Sequence, residues 1–119
     1  MENVSFEAIR EYCLSKKLAA EDTPFGPEAL VFKVCGKMFA LLTFDGEVLR
    51  INLKNSPEIN LELREQYSFI SPGYHMNKKY WNTILINDYI NKDLLFSLVD
   101  QSYLAVVNGL PKKLKESLI

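Results

Sequence analysis

Leu30-Val31-Phe32-Lys33-Val34-Cys35-Gly36-Lys37-Met38-Phe39-Ala40-Leu41-Leu42-Thr43-Phe44-Asp45-Gly46-Glu47-Val48-Leu49-Arg50-Ile51-Asn52-Leu53 is the stretch that decides the fold. It holds three strand-like runs. Leu30 to Cys35 joins Lys37 to Phe44 across the single Gly36, and Asp45-Gly46 supplies a hairpin signal before Val48 to Leu53. In the third run Leu49, Ile51 and Leu53 alternate with Val48, Arg50, Asn52 and Lys54, the period of a strand with one buried face. The economical reading is a three-stranded antiparallel meander.

Helical patterns surround the meander. Ser5 is an N-cap residue with Glu7 in the first turn, and Phe6, Ile9, Cys13 and Leu14 share a face. Glu21-Asp22-Thr23-Pro24-Phe25-Gly26-Pro27 reads as an irregular turn, because two Pro and one Gly interrupt it. After the meander, Ser56-Pro57-Glu58 starts a second helix, with Ile59, Leu63 and Tyr67 recurring every four residues. That helix ends before Ser71-Pro72-Gly73, and Trp81 to Ile86 is a fourth strand. Asn91 or Asp88 caps a third helix over 92–108, whose stripe is Leu95, Leu98, Val99, Ser102, Tyr103 and Val106. Asn108-Gly109 stops it, and Pro111 opens a short last helix with Leu114 and Leu118 turned inward. The order α-β-β-β-α-β-α-α predicts an α+β fold, an antiparallel β-sheet backed by helices, in one domain over 1–119.

Composition narrows the function classes. The 119 residues are 48% hydrophobic and 24% charged with a formal net charge of -1, so no global basic field favours nucleic acid. Residues 1–28 carry six acidic against three basic residues, and 29–119 carry eleven basic against nine acidic, which places the basic side in the later elements. Cys13 and Cys35 have neither metal-site nor redox-pair spacing and sit in apolar runs. The N-terminus shows no basic stretch followed by an apolar one, and Met38 to Leu42, the longest apolar run, is far short of the ~20 residues of a membrane span. The chain reads as a cytoplasmic, soluble monomer.

Chemistry concentrates in Ser71-Pro72-Gly73-Tyr74-His75-Met76-Asn77-Lys78-Lys79-Tyr80-Trp81-Asn82-Thr83, which holds the only His, the only Trp and a Lys pair without an acid. Such a mixture suits an anionic, flat-faced partner. The same segments carry a resemblance. Pro24-Phe25-Gly26, Phe32-Lys33-Val34, Gly36-Lys37-Met38-Phe39-Ala40, Leu53-Lys54 before Pro57-Glu58, Pro72 through Lys79, Trp81-Asn82-Thr83 and Leu110-Pro111-Lys112-Lys113 together resemble the MmcQ/YjbR family over nearly the whole chain. Tyr80 departs from the His found there in many members. The resemblance implies a CyaY-like (frataxin-like) α+β domain and, through a double-wing analogy, DNA binding.

On that expectation Lys33, Lys37, Lys54, Lys78 and Lys79 contact phosphate, and Asn77 and Asn82 reach bases or sugar. His75 belongs to the same loop, and Trp81 anchors it or stacks on a base. The alternative is a protein- or small-ligand-binding module, with an aromatic groove at Tyr67, Phe69, Tyr74 and Trp81 and dispersed basic residues. Catalysis is not expected: no G-x-S-x-G elbow or phosphate-cradling Gly loop is present, and both cysteines fall at core positions away from His75. No cofactor and no metal are assigned. Glu2, Glu7, Glu11, Glu21 and Asp22 are interspersed with Arg10, Lys16 and Lys17 and read as a solvated face.

Overall fold

The computed structural model describes residues 4–87 and 89–118. Ser5 caps α1 (Phe6–Leu14), its hydroxyl accepting the Ala8 amide at 3.1 Å. The chain then runs through β1 (Ala19–Asp22), β2 (Ala29–Val34), β3 (Lys37–Asp45) and β4 (Val48–Lys54). Next come α2 (Pro57–Gln66), β5 (Ile70–Pro72), β6 (Trp81–Ile86), α3 (Lys92–Asn108) and α4 (Lys112–Glu116). Ser56 caps α2 with Pro57 in its first turn, and Asn91 caps α3 through the Asp93 and Leu94 amides. The other candidate cap, Asp88, lies outside the described residues.

The six strands form one antiparallel sheet in the order β1-β2-β3-β4-β6-β5. The expected α+β class holds, with two short strands added at its edges. Glu21 and Asp22, expected in an irregular turn, finish β1, where Ala19 pairs with Val34 and Asp22 with Val31. The side chains of β1 are largely exposed, so no apolar alternation marks it; the unpaired edge of β2 supplies the order. Ser71 and Pro72, expected in a turn, belong to β5. Pro is tolerated there because β5 is the outermost strand and its free side needs no donor.

One face of the sheet carries the core. Phe32, Ala40, Leu42, Ile51, Leu53 and Ile84 meet Leu95, Leu98, Val99 and Val106 of α3, with Ile9 and Cys13 of α1 beside them. All of the expected α3 stripe is buried, and Val107 joins it. Cys13 and Cys35 are free thiols. Burial pushes the Cys13 thiol from 9.0 up to about 12. Its neutral form is the one the fold holds, so its stabilising contribution is complete below pH 9.0 and is lost as pH rises toward about 12. One inward assignment is corrected, and the four-residue repeat of α2 packs on the core only at Leu63 and Tyr67. Ile59 is exposed, while Asn60 is the buried residue of α2. Leu114 is also exposed, and only Leu118 of the pair packs against the core.

A bulge at Phe39 shapes the centre. Lys33 pairs with Met38 and Phe32 with Ala40, so Phe39 is skipped, and pairing with β4 begins at Ala40 and Leu53. The skipped carbonyl needs a donor and the Lys54 amide an acceptor. Ser102 of α3 serves both: its hydroxyl donates to the Phe39 carbonyl at 2.5 Å and accepts from the Lys54 amide at 2.7 Å. Ser102→Ala is expected to lower the unfolding free energy by about 1–3 kcal/mol, because two buried backbone groups lose their partner. Urea denaturation checks this, and a loss no larger than that of an exposed Ser would contradict it.

Candidate functional site: a groove across the open sheet face

The face turned away from the helices is built by the pleat and the register. Val31, Leu41, Asn52, Thr83 and Ser71 form one row across five strands. Ala29, Thr43, Arg50 and Leu85 form the next. Two segments far apart in sequence rise beside this floor, the Phe25 loop between β1 and β2 and the turn at Tyr74-His75-Met76 after β5. Between them lies a groove of about 840 Å³, within the range that holds small ligands.

Local chemistry fixes the second wall. The Gly73 amide donates to the Trp81 carbonyl at 2.8 Å, extending the β5–β6 ladder by one bond. A Cβ on Gly73 would lie 2.8 Å from the Trp81 Cβ and 2.9 Å from its carbonyl oxygen, so only Gly lets the chain turn this close to β6. The next amide, Tyr74, donates to Thr83 Oγ1 at 3.0 Å, and Thr83 in turn donates to Asn52 Oδ1 at 2.5 Å. His75 follows with φ 58, a left-handed conformation that His adopts more readily than most residues and that Leu18 and Cys35 share at φ 59 and φ 48. The His75 ring lies 4.0 Å from that of Tyr74 at 50°.

The register brings the expected lysines to one end of the sheet: Lys33 pairs with Met38, Lys37 opens β3, Lys54 ends β4 opposite Trp81, and Lys78 and Lys79 precede β6. Lys33 is 3.6 Å from Asp22 Oδ2. Lys37 is exposed at the β2–β3 turn, and Lys54 is half-buried at the end of β4. Lys78 Nζ donates back to the Gly73 carbonyl at 3.3 Å, and Lys79 Nζ sits 5.7 Å from the centre of the Tyr80 ring. Asn77 shapes its own turn, its side chain accepting the Lys79 amide at 3.0 Å. Trp81 is half-buried.

Asn82 needs correction as a base-reading residue, since it is 1% exposed and faces α2. It accepts from Arg64 Nε at 2.6 Å and donates to the Asn60 carbonyl at 3.3 Å. Arg64 also donates to the Lys78 carbonyl, and Asn60 Nδ2 donates to the Lys79 carbonyl at 3.2 Å. This polar cluster clamps the 78–82 segment to α2. The aromatic groove expected at Tyr67, Phe69, Tyr74 and Trp81 is displaced too. Tyr67 and Phe69 pack against the helix-side core, and of those four only Tyr74 lines the groove. Its other lining residues include Phe25, Leu41, Asp45, Arg50, Asn52 and Met76.

The family model described as YjbR matches residues 14–105, most of the chain. The chain belongs to the YjbR family. A relative in Escherichia coli O157:H7, the uncharacterized protein YbdF, is 44% identical over 90 residues, covering 76% of this chain and 74% of that protein. The uncharacterized protein YjbR of Escherichia coli K12 is 29% identical over 116 residues and 98% of each chain. The crystal structure of Deinococcus radiodurans protein DR2400, a DUF419 domain, superposes with a TM-score of 0.88 at 37% identity, covering 96% of this chain and 87% of that one. The resemblance segments of this YjbR chain divide in two. Phe25, Pro72, Tyr74, His75 and Met76 line the groove, while the Phe39 and Asn82 segments build the sheet beneath it. Among the described residues no helix is long and apolar enough to cross a membrane.

Proposed function

We propose that this YjbR protein is a binding module for a small molecule with an aromatic or apolar body, held in the groove on the open sheet face. Asn52 carries the proposal. It is only 4% exposed, yet it sits on the face no helix covers, and its cross-strand neighbour Thr83 fixes its amide from the side. A buried, oriented amide at the floor of a groove is a feature of ligand sites. Phe25 and Tyr74, 72% and 71% exposed at the rims, gain burial when such a body enters.

Binding without turnover is the form proposed, because His75 lies against a Tyr ring and neither cysteine lines the groove. DNA binding is the competing reading. Against it stand the engagements of Lys33 with Asp22, of Lys78 with the Gly73 carbonyl and of Lys79 with the Tyr80 ring, which occupy three of the five lysines of that surface.

Fluorescence titration with anilinonaphthalene sulfonate tests the proposal. The wild type is expected to enhance the dye's emission saturably. Thr43→Phe, which fills the groove floor, should weaken the apparent affinity by about tenfold or more, roughly 1.4 kcal/mol. Equal enhancement by both proteins would overturn the groove. A low-salt mobility shift of labelled duplex, lost with Lys78→Ala plus Lys79→Ala, would restore the nucleic-acid reading instead.

A further inference from the structure

We infer that the groove selects a planar aromatic molecule bearing a single carboxylate, which Arg50 and Asn52 receive. The inference rests on the groove being the ligand site and names its ligand class. Thr83 Oγ1 accepts the Tyr74 amide and donates to Asn52 Oδ1, so the acceptor end of the Asn52 amide is committed. Its Nδ2 is in no hydrogen bond among the described residues, and no fully buried side-chain nitrogen or oxygen there lacks a partner. The Nδ2 donor is therefore open to the groove it lines.

Arg50 lies two residues before Asn52 on the same strand and lines the same groove. The pleat sets the two Cα atoms roughly 7 Å apart on one face. Among the described residues Arg50 is in no ion pair. A guanidinium fork with an amide donor beside it matches the planar, two-oxygen geometry of a carboxylate.

Charge decides between a monoanion and a dianion. Asp45 lines the groove as well, so one cation is set against one anion, and a phosphate monoester would bring a second negative charge toward Asp45. A carboxylate brings a single negative charge to Arg50 and so meets less repulsion from Asp45 than a phosphate monoester does. The body of the ligand follows from the walls. The floor is a flat sheet, and the rims are the exposed rings of Phe25 and Tyr74, which stack or meet edge-on with an aromatic plane.

Amide NMR titration with naphthoate, naphthyl phosphate and naphthamide tests this, since the three share a ring system and differ in charge. Naphthoate is expected to shift the amides of Asn52, Thr83, Tyr74 and His75 and to bind most tightly. Arg50→Met, with an otherwise unchanged spectrum, should weaken naphthoate by about 10- to 100-fold and leave naphthamide unaffected. Arg50→Lys, which keeps the charge and loses the fork, should fall between. Should Arg50→Met fail to fold, the ranking of the three probes on the wild type and on Arg50→Lys decides alone. Groove shifts of equal affinity for all three probes would overturn the carboxylate assignment and leave the groove standing. No groove shift with any probe would overturn both.

Discussion

Phe39→Ala is expected to remove about 3–5 kcal/mol of unfolding free energy, a large share of the roughly 5–15 kcal/mol of a typical domain. Phe39 is fully buried at the bulge of β3. Its ring meets Tyr103 edge-on at 5.3 Å and 88° and lies 6.4 Å from Phe32. The Tyr103 hydroxyl in turn donates to the Lys17 carbonyl at 2.6 Å, so a cavity here loosens the link between α3 and the end of α1. Urea denaturation measures the loss. Because Phe39 faces the helices and the groove lies on the other face, dye affinity in the folded fraction should not change. A parallel fall in affinity would contradict the separation of the two faces.

Asn82→Ala is expected to cost about 2–4 kcal/mol, the sum of a hydrogen bond to a charged donor and a neutral one. Its side chain accepts from the half-buried Arg64 and donates to the carbonyl of the buried Asn60. Removing it also leaves the buried Asn60 carbonyl without that donor, a heavier loss than an exposed bond would bring. This variant should also weaken groove ligands, because the clamped 78–82 segment leads into the strand that carries Thr83, on which the Tyr74 turn rests. Denaturation and dye titration of one sample read both effects. A loss below about 1 kcal/mol would show that the cluster is not what holds the segment.

The elements legible in the sequence were those whose own side chains carry a period. The meander, the α3 stripe and the caps at Ser5, Ser56 and Asn91 all express local chemistry. β1 and β5 do not, since Ala19–Asp22 is mostly exposed and Ile70–Pro72 is three residues long. Pairing with β2 and β6 orders them, and pairing is non-local. The residue type of Asn82 suggests an exposed polar group, whereas its parity with Ile84 and Ile86 places it on the core side. The floor of the groove was visible as the outward set Arg50 and Asn52 against Leu49, Ile51 and Leu53. Its walls were not, because nothing in Pro24-Phe25-Gly26 or Pro72-Gly73-Tyr74 says that the two loops rise over one sheet face.

The most direct test is a paired amide NMR map of the wild type, titrated with naphthoate and separately with a short DNA duplex at low salt. The groove account predicts that naphthoate moves the amides of Phe25, Leu41, Asn52 and Tyr74 together, while the duplex leaves them unmoved. Duplex-induced shifts around Lys37, Lys54 and Lys79, with those four amides silent to naphthoate, would contradict it.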